Sequence, residues 1–325
     1  YEHMIFQKVV EKDGEIYIKK ENFISHWLKS NPTQKTFEDM KVYPPGIQCP
    51  ITHFNLWKPF EMELVETYEK QEEELKFILN HIKILCQNDD LVYYYFIKWI
   101  AQMIQFPAIK TICPTLISKE GAGKGSLMKL FARMLGAKKV FETTSPSRDV
   151  WGDFNGRMTD TFLINLNELS KKETMECEGR FKGLITDASL TINNKGINQF
   201  DVTSYHRFII TTNKEEPINT KKDDRRNLVI RASDELIGEK QYFDKLHKYL
   251  EDTNVIKTCY EYFKSMPNMD EFRKLPIPTT EYQMDLMESS TSPIEQWLKA
   301  FTIENEKQKE RLELTAVEQH RQFQQ

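Results

Sequence analysis

The chain has 325 residues, 39% of them hydrophobic, and a formal net charge of −4. That length and apolar content support roughly two domains with a large buried core. The near-neutral balance excludes nucleic-acid binding by bulk charge, so such a partner would have to be gripped by a local basic face.

In chain order, residues 1–42 mix short strand-like runs (GEIYIKK) with a helix-like ENFISHWLKS. YPPGIQCP (43–50) concentrates proline and glycine and reads as a boundary or rigid connector. Residues 61–105 carry a helical period, with apolar positions at 75, 78, 79, 82 and 85, followed by a more buried helix in LVYYYFIKWIAQMIQ. The aromatic residues at 93–99 sit at helical spacing, which favours core packing over base stacking. From 111 the texture changes. TLIS (115–118), TFLINLN (161–167), RFIITTN (207–213) and NLVIRAS (227–233) are short, continuously apolar runs. Strands covered on both faces read this way, and intervening helices make the sheet parallel. After about 240 the chain is again helical, and IENEKQKERLELTAVEQHRQFQQ is charged enough to project from the body.

Five cysteines stand apart at 49, 86, 113, 177 and 259 without a C-x-x-C pair, which argues against zinc and for a reducing compartment. No run of about eighteen apolar residues and no signal peptide occur, so a soluble intracellular protein with no membrane partner is expected. The chain begins at Tyr1 without a methionine, as a piece of a longer polypeptide would.

SKEGAGKGS (118–126) follows a predicted strand and opens the helical SLMKLFARMLG. It has the outline of the phosphate loop G-x-x-x-x-G-K-[ST], with Ser118 in place of the first glycine and Gly125 in place of the hydroxyl residue. Gly121, Ala122 and Gly123 can bring main-chain N–H groups onto phosphate oxygens, and Lys124 can reach the β- and γ-phosphates. Gly125 removes a hydroxyl that would ligate Mg²⁺; Ser126, one residue later, can touch the α-phosphate or take part of the metal role. The competing reading is a glycine-rich turn that binds nothing. FLINLNE places Glu168 just after an apolar run, where a carboxylate can polarise a water or simply cap and meet solvent. Asn167, where an aspartate often stands, can hold a metal-bound water without adding charge. Asn213 ends RFIITTN as a water-orienting amide or an ordinary turn residue. Arg225 and Arg226 precede the next strand, either as transition-state cations at a subunit edge or as part of a solvated charge run.

The ordered set GAGKGS, FLINLNE, RFIITTN and DDRR, with WGDFNGRM and SYHRFIITTN, resembles a superfamily 3 helicase of the AAA+ class. The likeness is strongest to the ATPase part of poxvirus and giant-virus primase–helicases, over residues 90–235. Some members of that branch place a small residue after the lysine. The resemblance implies an α/β AAA+ P-loop core with a central parallel sheet, flanked by helical N- and C-terminal segments. It makes Lys124 the phosphate lysine, Glu168 the catalytic carboxylate, Asn213 the sensor, and Arg225 or Arg226 a finger acting on the adjacent subunit. SLTINNKGINQFDV (189–202) reads as a β-hairpin turning at Asn194-Lys195-Gly196. In the family such a hairpin grips single-stranded DNA, so Lys195 is the expected phosphate contact, with Lys182 a weaker candidate; an ordinary surface hairpin is the alternative.

The expected organisation is an accessory segment 1–60, the tail of an upstream primase or polymerase module, then a helical segment 61–110. An ATPase core 111–240 and a C-terminal helical region 241–325, truncated or projecting, complete it. The expected activity is hydrolysis of ATP with Mg²⁺, held by Ser126, Asn167 and Glu168, in a hexameric homo-oligomeric ring. The ring would move on single-stranded or forked DNA during viral replication, in the host cytoplasm or at a viral replication site. Two alternatives are a nucleotide-holding DNA clamp with weak hydrolysis and a monomeric small-molecule kinase; the hairpin and the paired arginines argue against the kinase.

Overall fold

The computed structural model describes residues 5–12, 14–30, 35–152, 155–169, 171–176, 178–196, 198–218 and 225–289, with a few positions beyond. The KKDD half of the KKDDRR run, Asp153 and Phe154 of WGDFNGRM, Cys177 and the charged stretch 303–320 lie outside the described residues.

The chain divides into two compact units, Tyr1–Tyr43 with Gln48–Trp57, and Pro44–Ile47 with Lys58–Gln325. In the first, β1 (Ile5–Lys12) and β2 (Glu15–Asn22) form an antiparallel hairpin whose turn uses Gly14 at φ +83. Asn22 then accepts from the main-chain N–H groups of Ile24 and Ser25 and opens α1 (Phe23–Ser30). β3 (Asp39–Lys41) and β4 (His53–Asn55) form a short parallel pair.

In the second unit a short 3-10 turn (Glu61–Leu64) precedes α2 (Glu72–Leu85) and α3 (Asp90–Gln105). The Asp89 carboxylate caps α3 by accepting from Leu91 and Val92 main-chain N–H groups at 2.8 and 3.0 Å. Tyr95, Phe96 and Trp99 are buried, as their spacing in the sequence predicts. β5 (Cys113–Ile117), α4 (Lys124–Leu135), β6 (Val140–Thr143) and the single-turn α5 (Pro146–Asp149) follow. After β7 (Leu163–Asn167) come α6 (Lys171–Glu176), α7 (Glu178–Thr186), and the antiparallel hairpin of β8 (Ser189–Ile192) with β9 (Phe200–Thr203). β10 (Arg207–Thr212) and β11 (Asn227–Arg231) complete the sheet, and α8 (Lys240–Glu251), α9 (Thr253–Lys264), α10 (Met269–Phe272) and α11 (Glu281–Ser289) pack beside it.

The sheet has five parallel strands in the order β11-β5-β10-β7-β6. Four match the strands read from the sequence to within two residues. The fifth, β6, was not anticipated: VFET is four residues long and only Phe141 and Thr143 are buried, so no apolar run marks it. One face packs Ile164, Leu166, Phe208 and Ile210 against Phe181 and Ile185 of α7 and Leu286 of α11. α3, α4 and α9 form the opposite layer, in which Trp99 of α3 meets Phe131 of α4 and donates to the Ile112 carbonyl at 3.2 Å. Among the described residues no helix is long and apolar enough to cross a membrane.

A charged side chain ties the sheet to the end of α3. Arg207, 1% exposed, donates to the carbonyls of Phe106 (3.2 Å), Pro107 (3.4 Å) and Ile109. These groups follow the helix C-terminus, where a cation is favoured and orphan carbonyls need donors. Arg207→Met keeps the bulk but leaves those carbonyls unpaired; a loss of roughly 1–3 kcal/mol in urea unfolding is expected.

Candidate functional site

β10 lies between β5 and β7, with Thr212 beside Ile117 and Thr211 beside Asn167. The carboxyl ends of three strands therefore meet on one edge, and the segments leaving them are 118–123, 168–169 and 213–214.

The first is a tight turn. Gly121 and Gly123 take φ of +82 and +103, a region that side chains with a Cβ adopt at a cost of about 1–2 kcal/mol. The need at Gly123 is also steric: a Cβ there would stand 2.4 Å from Cε1 of His81 and 3.2 Å from Phe243. α4 begins at Lys124 and buries Leu127, Leu130, Phe131, Met134 and Leu135, the stripe its sequence predicts. The first intrahelical donors are Ser126 and Leu127, both onto the Gly123 carbonyl. The N–H groups of residues 121–125 make no hydrogen bond with protein acceptors among the described residues. They and the helix dipole give this turn the character of an anion seat.

Lys124 folds back on the strand end. Its Nζ donates to Ser118 O (2.8 Å), Ser118 Oγ (2.6 Å) and Lys119 O (3.3 Å). Burial lowers its pKa, opposed by Glu168, Glu120 and Asp234 nearby. Ser118 is thus a side chain that holds the lysine as well as a small residue in place of glycine. Asp234, salt-bridged to Lys119 at 2.8 Å, was not singled out from the sequence; its carboxylate reaches the site through the turn after β11.

Glu168 stands at the end of β7 in a left-handed conformation, φ +59, held by its N–H to Thr211 O (2.9 Å) and by Lys214 Nζ donating to its carbonyl (2.8 Å). A non-glycine residue at such φ is strained, and the surrounding bonds keep it there. Asn213 Nδ2 lies 3.4 Å from Glu120 Oε1, joining the β10 end to the loop.

The expected metal donors are differently engaged. The Asn167 amide donates to Glu142 (3.3 Å) and accepts from Thr211 (3.1 Å), within a buried network that also holds Asn165. Ser126 Oγ sits 3.3 Å from Nε2 of His247 on α8. Among the described residues, no group of three or more His, Cys, Asp or Glu side chains could hold a metal by itself. Mg²⁺ binds readily through one or two carboxylates plus phosphate oxygens and waters, and Glu168, Glu120 and Asp234 are the carboxylates near Lys124 that could take that role. Gly125 has open space around its ideal Cβ, so nothing in the fold excludes a side chain there.

Arg225 and Arg226 lie at the opposite edge of the sheet. Asn227 pairs with Cys113, and Cys113 N donates to Arg226 O at 2.7 Å. From Cys113 to Ser118 is five residues of about 3.3 Å each, roughly 16 Å. The structure does not bring these arginines to the loop of their own chain.

Lys195 is exposed in the β8–β9 connection, beside Gly196 at φ +81. The turn end of β8 is fastened by Asn155, whose Nδ2 donates to Thr191 O (3.0 Å) and whose Oδ1 accepts from Asn193 N (2.9 Å). A Cβ on Gly156 would stand 1.7 Å from Asn194 Oδ1. The Asn-Gly of WGDFNGRM is therefore a clasp for the hairpin.

A model of a family of unknown function, DUF5906, matches residues 116–226. The chain is homologous to the DNA primase-polymerase of Nitratiruptor phage NrS-1, at 26% identity over 322 residues; the match covers 91% of this chain but 43% of that protein. Two apo structures of the NrS-1 C-terminal region share the fold. One has a TM-score of 0.67 at 20% identity, covering 92% of this chain and 73% of that one. The other has 0.66 at 19%, covering 91% and 72%.

Gly123→Ala is expected to destabilise the protein by about 1–2 kcal/mol through strain alone, and more through the His81 contact. In the double variant with His81→Ala only the contact part should return, as read by urea unfolding. Two buried imidazoles set a pH dependence. Burial depresses the pKa of His81, beside Gly123 O at 3.3 Å, and of His206, beside Met158 O at 2.8 Å, to about 4. Both lie below the ordinary 6.5, so between these values the unfolded chain binds more protons. Stability should rise with pH from about 4 to 6.5 and be lost on acidification; a flat urea midpoint over that window would contradict the assignment.

Proposed function

We propose that the chain is the motor part of a DNA-replication protein, an ATP-hydrolysing ring that moves on single-stranded DNA. The observation that carries this reading is the group of unpaired amides at 121–125 opening α4, with Lys124 and the strained Glu168 on the same sheet edge. The homology to a phage DNA primase-polymerase supports the replicative setting. Because the chain spans less than half of that relative, the relative's own activity is not carried over.

In this reading the loop amides cup the β- and γ-phosphates. Lys124 turns from the Ser118 and Lys119 acceptors onto phosphate oxygens. Glu168 accepts the proton of the attacking water, and Asn213 orients that water between β5 and β7. Mg²⁺ bound with the nucleotide would neutralise phosphate charge, and Glu168 is a carboxylate at this edge that would help to hold it. Arg225 or Arg226, too far from the loop of its own chain, stabilises transition-state charge at an adjacent copy, which makes the active unit a closed oligomer such as a hexamer. Lys195 at the hairpin turn contacts DNA phosphate.

A second reading, a nucleotide-holding clamp with weak hydrolysis, draws support from the engagement of Asn167 with Glu142 and Ser126 with His247. The two diverge in a turnover assay with Mg²⁺, with and without single-stranded DNA. The motor reading expects DNA-stimulated hydrolysis, lost by about 100-fold or more in Lys124→Ala. Glu168→Gln should keep nucleotide binding and lose turnover. Mixing Lys124→Ala with Arg226→Ala, or with Arg225→Ala, should restore part of the activity if sites are shared. Tight nucleotide and DNA binding without turnover would favour the clamp. In the motor case Gly125→Ser, which the open space admits, should lower the Mg²⁺ concentration for half-maximal hydrolysis.

A further inference from the structure

A cavity of about 490 Å³ runs along the β8–β9 hairpin, from Ser189 and Ser204, just ahead of β10, to Asn193 and Gln199 beside the turn. It is remote from the phosphate loop, which leaves the other end of β5. Its volume falls in the range of small-molecule sites. Resting on the reading that this hairpin meets DNA, we propose that the cavity seats one unstacked base of the single strand whose phosphates pass Lys195.

The lining fits a flat, amide-edged ring. Val150, Trp151, Leu184 and Leu190 supply apolar wall, while Asn193 and Gln199 bring amides that both donate and accept. Amides of this kind meet any base edge, which suits sequence-independent binding. Arg180 spends one N–H on the Trp151 carbonyl, at 2.9 Å, and its planar fork has further donors for a base carbonyl or a phosphate. Asn155 lines the cavity and also holds the hairpin through Thr191 and Asn193. Occupancy of the cavity and the stance of the hairpin therefore share one side chain. Lys195 would supply backbone grip and the cavity would supply a base contact.

Base removal separates the two contributions. Affinity would be measured for labelled oligothymidylate and for an abasic strand of equal length, by anisotropy at several salt concentrations. The parent should prefer the base-bearing strand by about 5–100-fold, the range of one stacked base. Ser189→Phe, at an exposed position of β8 that lines the cavity, should fill it and abolish the preference; Arg180→Ala should reduce it. Lys195→Ala should weaken both strands and lower the salt slope by about one, with the preference retained. Thermal melting and nucleotide binding of Ser189→Phe should match the parent. If the parent shows no preference, or Ser189→Phe keeps it in full, the cavity assignment is overturned, and the hairpin's role stands where Lys195→Ala still weakens both strands. If the parent binds neither strand, both fall.

Discussion

The placement of β10 between β5 and β7 is the constraint on which the candidate site depends. The register sets Thr212 beside Ile117 and Thr211 beside Asn167, so the ends of three strands finish level. Two short bonds seal that edge, Ser118 N to Thr212 O at 3.1 Å and Glu168 N to Thr211 O at 2.9 Å. β10 sets the loop that leaves β5 and Glu168 at the end of β7 two strand spacings apart, about 10 Å, with Asn213 leaving the strand between them. A parallel sheet needs a long crossover for each such neighbour. Here the α6–α7 segment with the β8–β9 hairpin connects β7 to β10, and the loop helix connects β5 to β6.

That crossover links the two ends of the molecule's chemistry. At the carboxyl ends, a lysine, two left-handed glycines and a strained glutamate gather. At the amino ends, the same connection carries the Asn155-clasped hairpin and its cavity. β7 and β10 run between them as a buried, closely packed pair, and interiors packed in this way transmit small displacements. The arginines at the start of β11 lie on the amino-terminal edge as well, away from the loop of their own chain.

The residues at 118, 125 and 167, which depart from the commonest pattern, have distinct physical accounts. Ser118 adds an oxygen that holds Lys124, whereas the turn does not require glycine there. Gly125 removes a hydroxyl at a position with room for one. Asn167 belongs to a network with Asn165, Thr211 and Glu142, so its amide stabilises the sheet's polar seam more directly than it faces the loop. Asn165, fully buried, donates from its amide nitrogen to Glu142 and Thr211, and a buried polar contact of this kind favours one strand register.

The sequence alone determined the parallel α/β class, four of the five strands, the loop with its following helix, and the hairpin with Lys195 at its turn. These are local facts: continuous apolar runs, a 3.6-residue stripe and a glycine pair specify them within a few residues. Only the tertiary structure decided which strands are neighbours and hence what the side chains at their ends touch. VFET has no apolar run and becomes a strand because β7 offers it an edge. His81, Asp234 and His247 approach the loop from elements 35 or more residues away, and no spacing rule connects residues brought together only by folding. Asn155 likewise looks like one more loop amide until the hairpin folds against it.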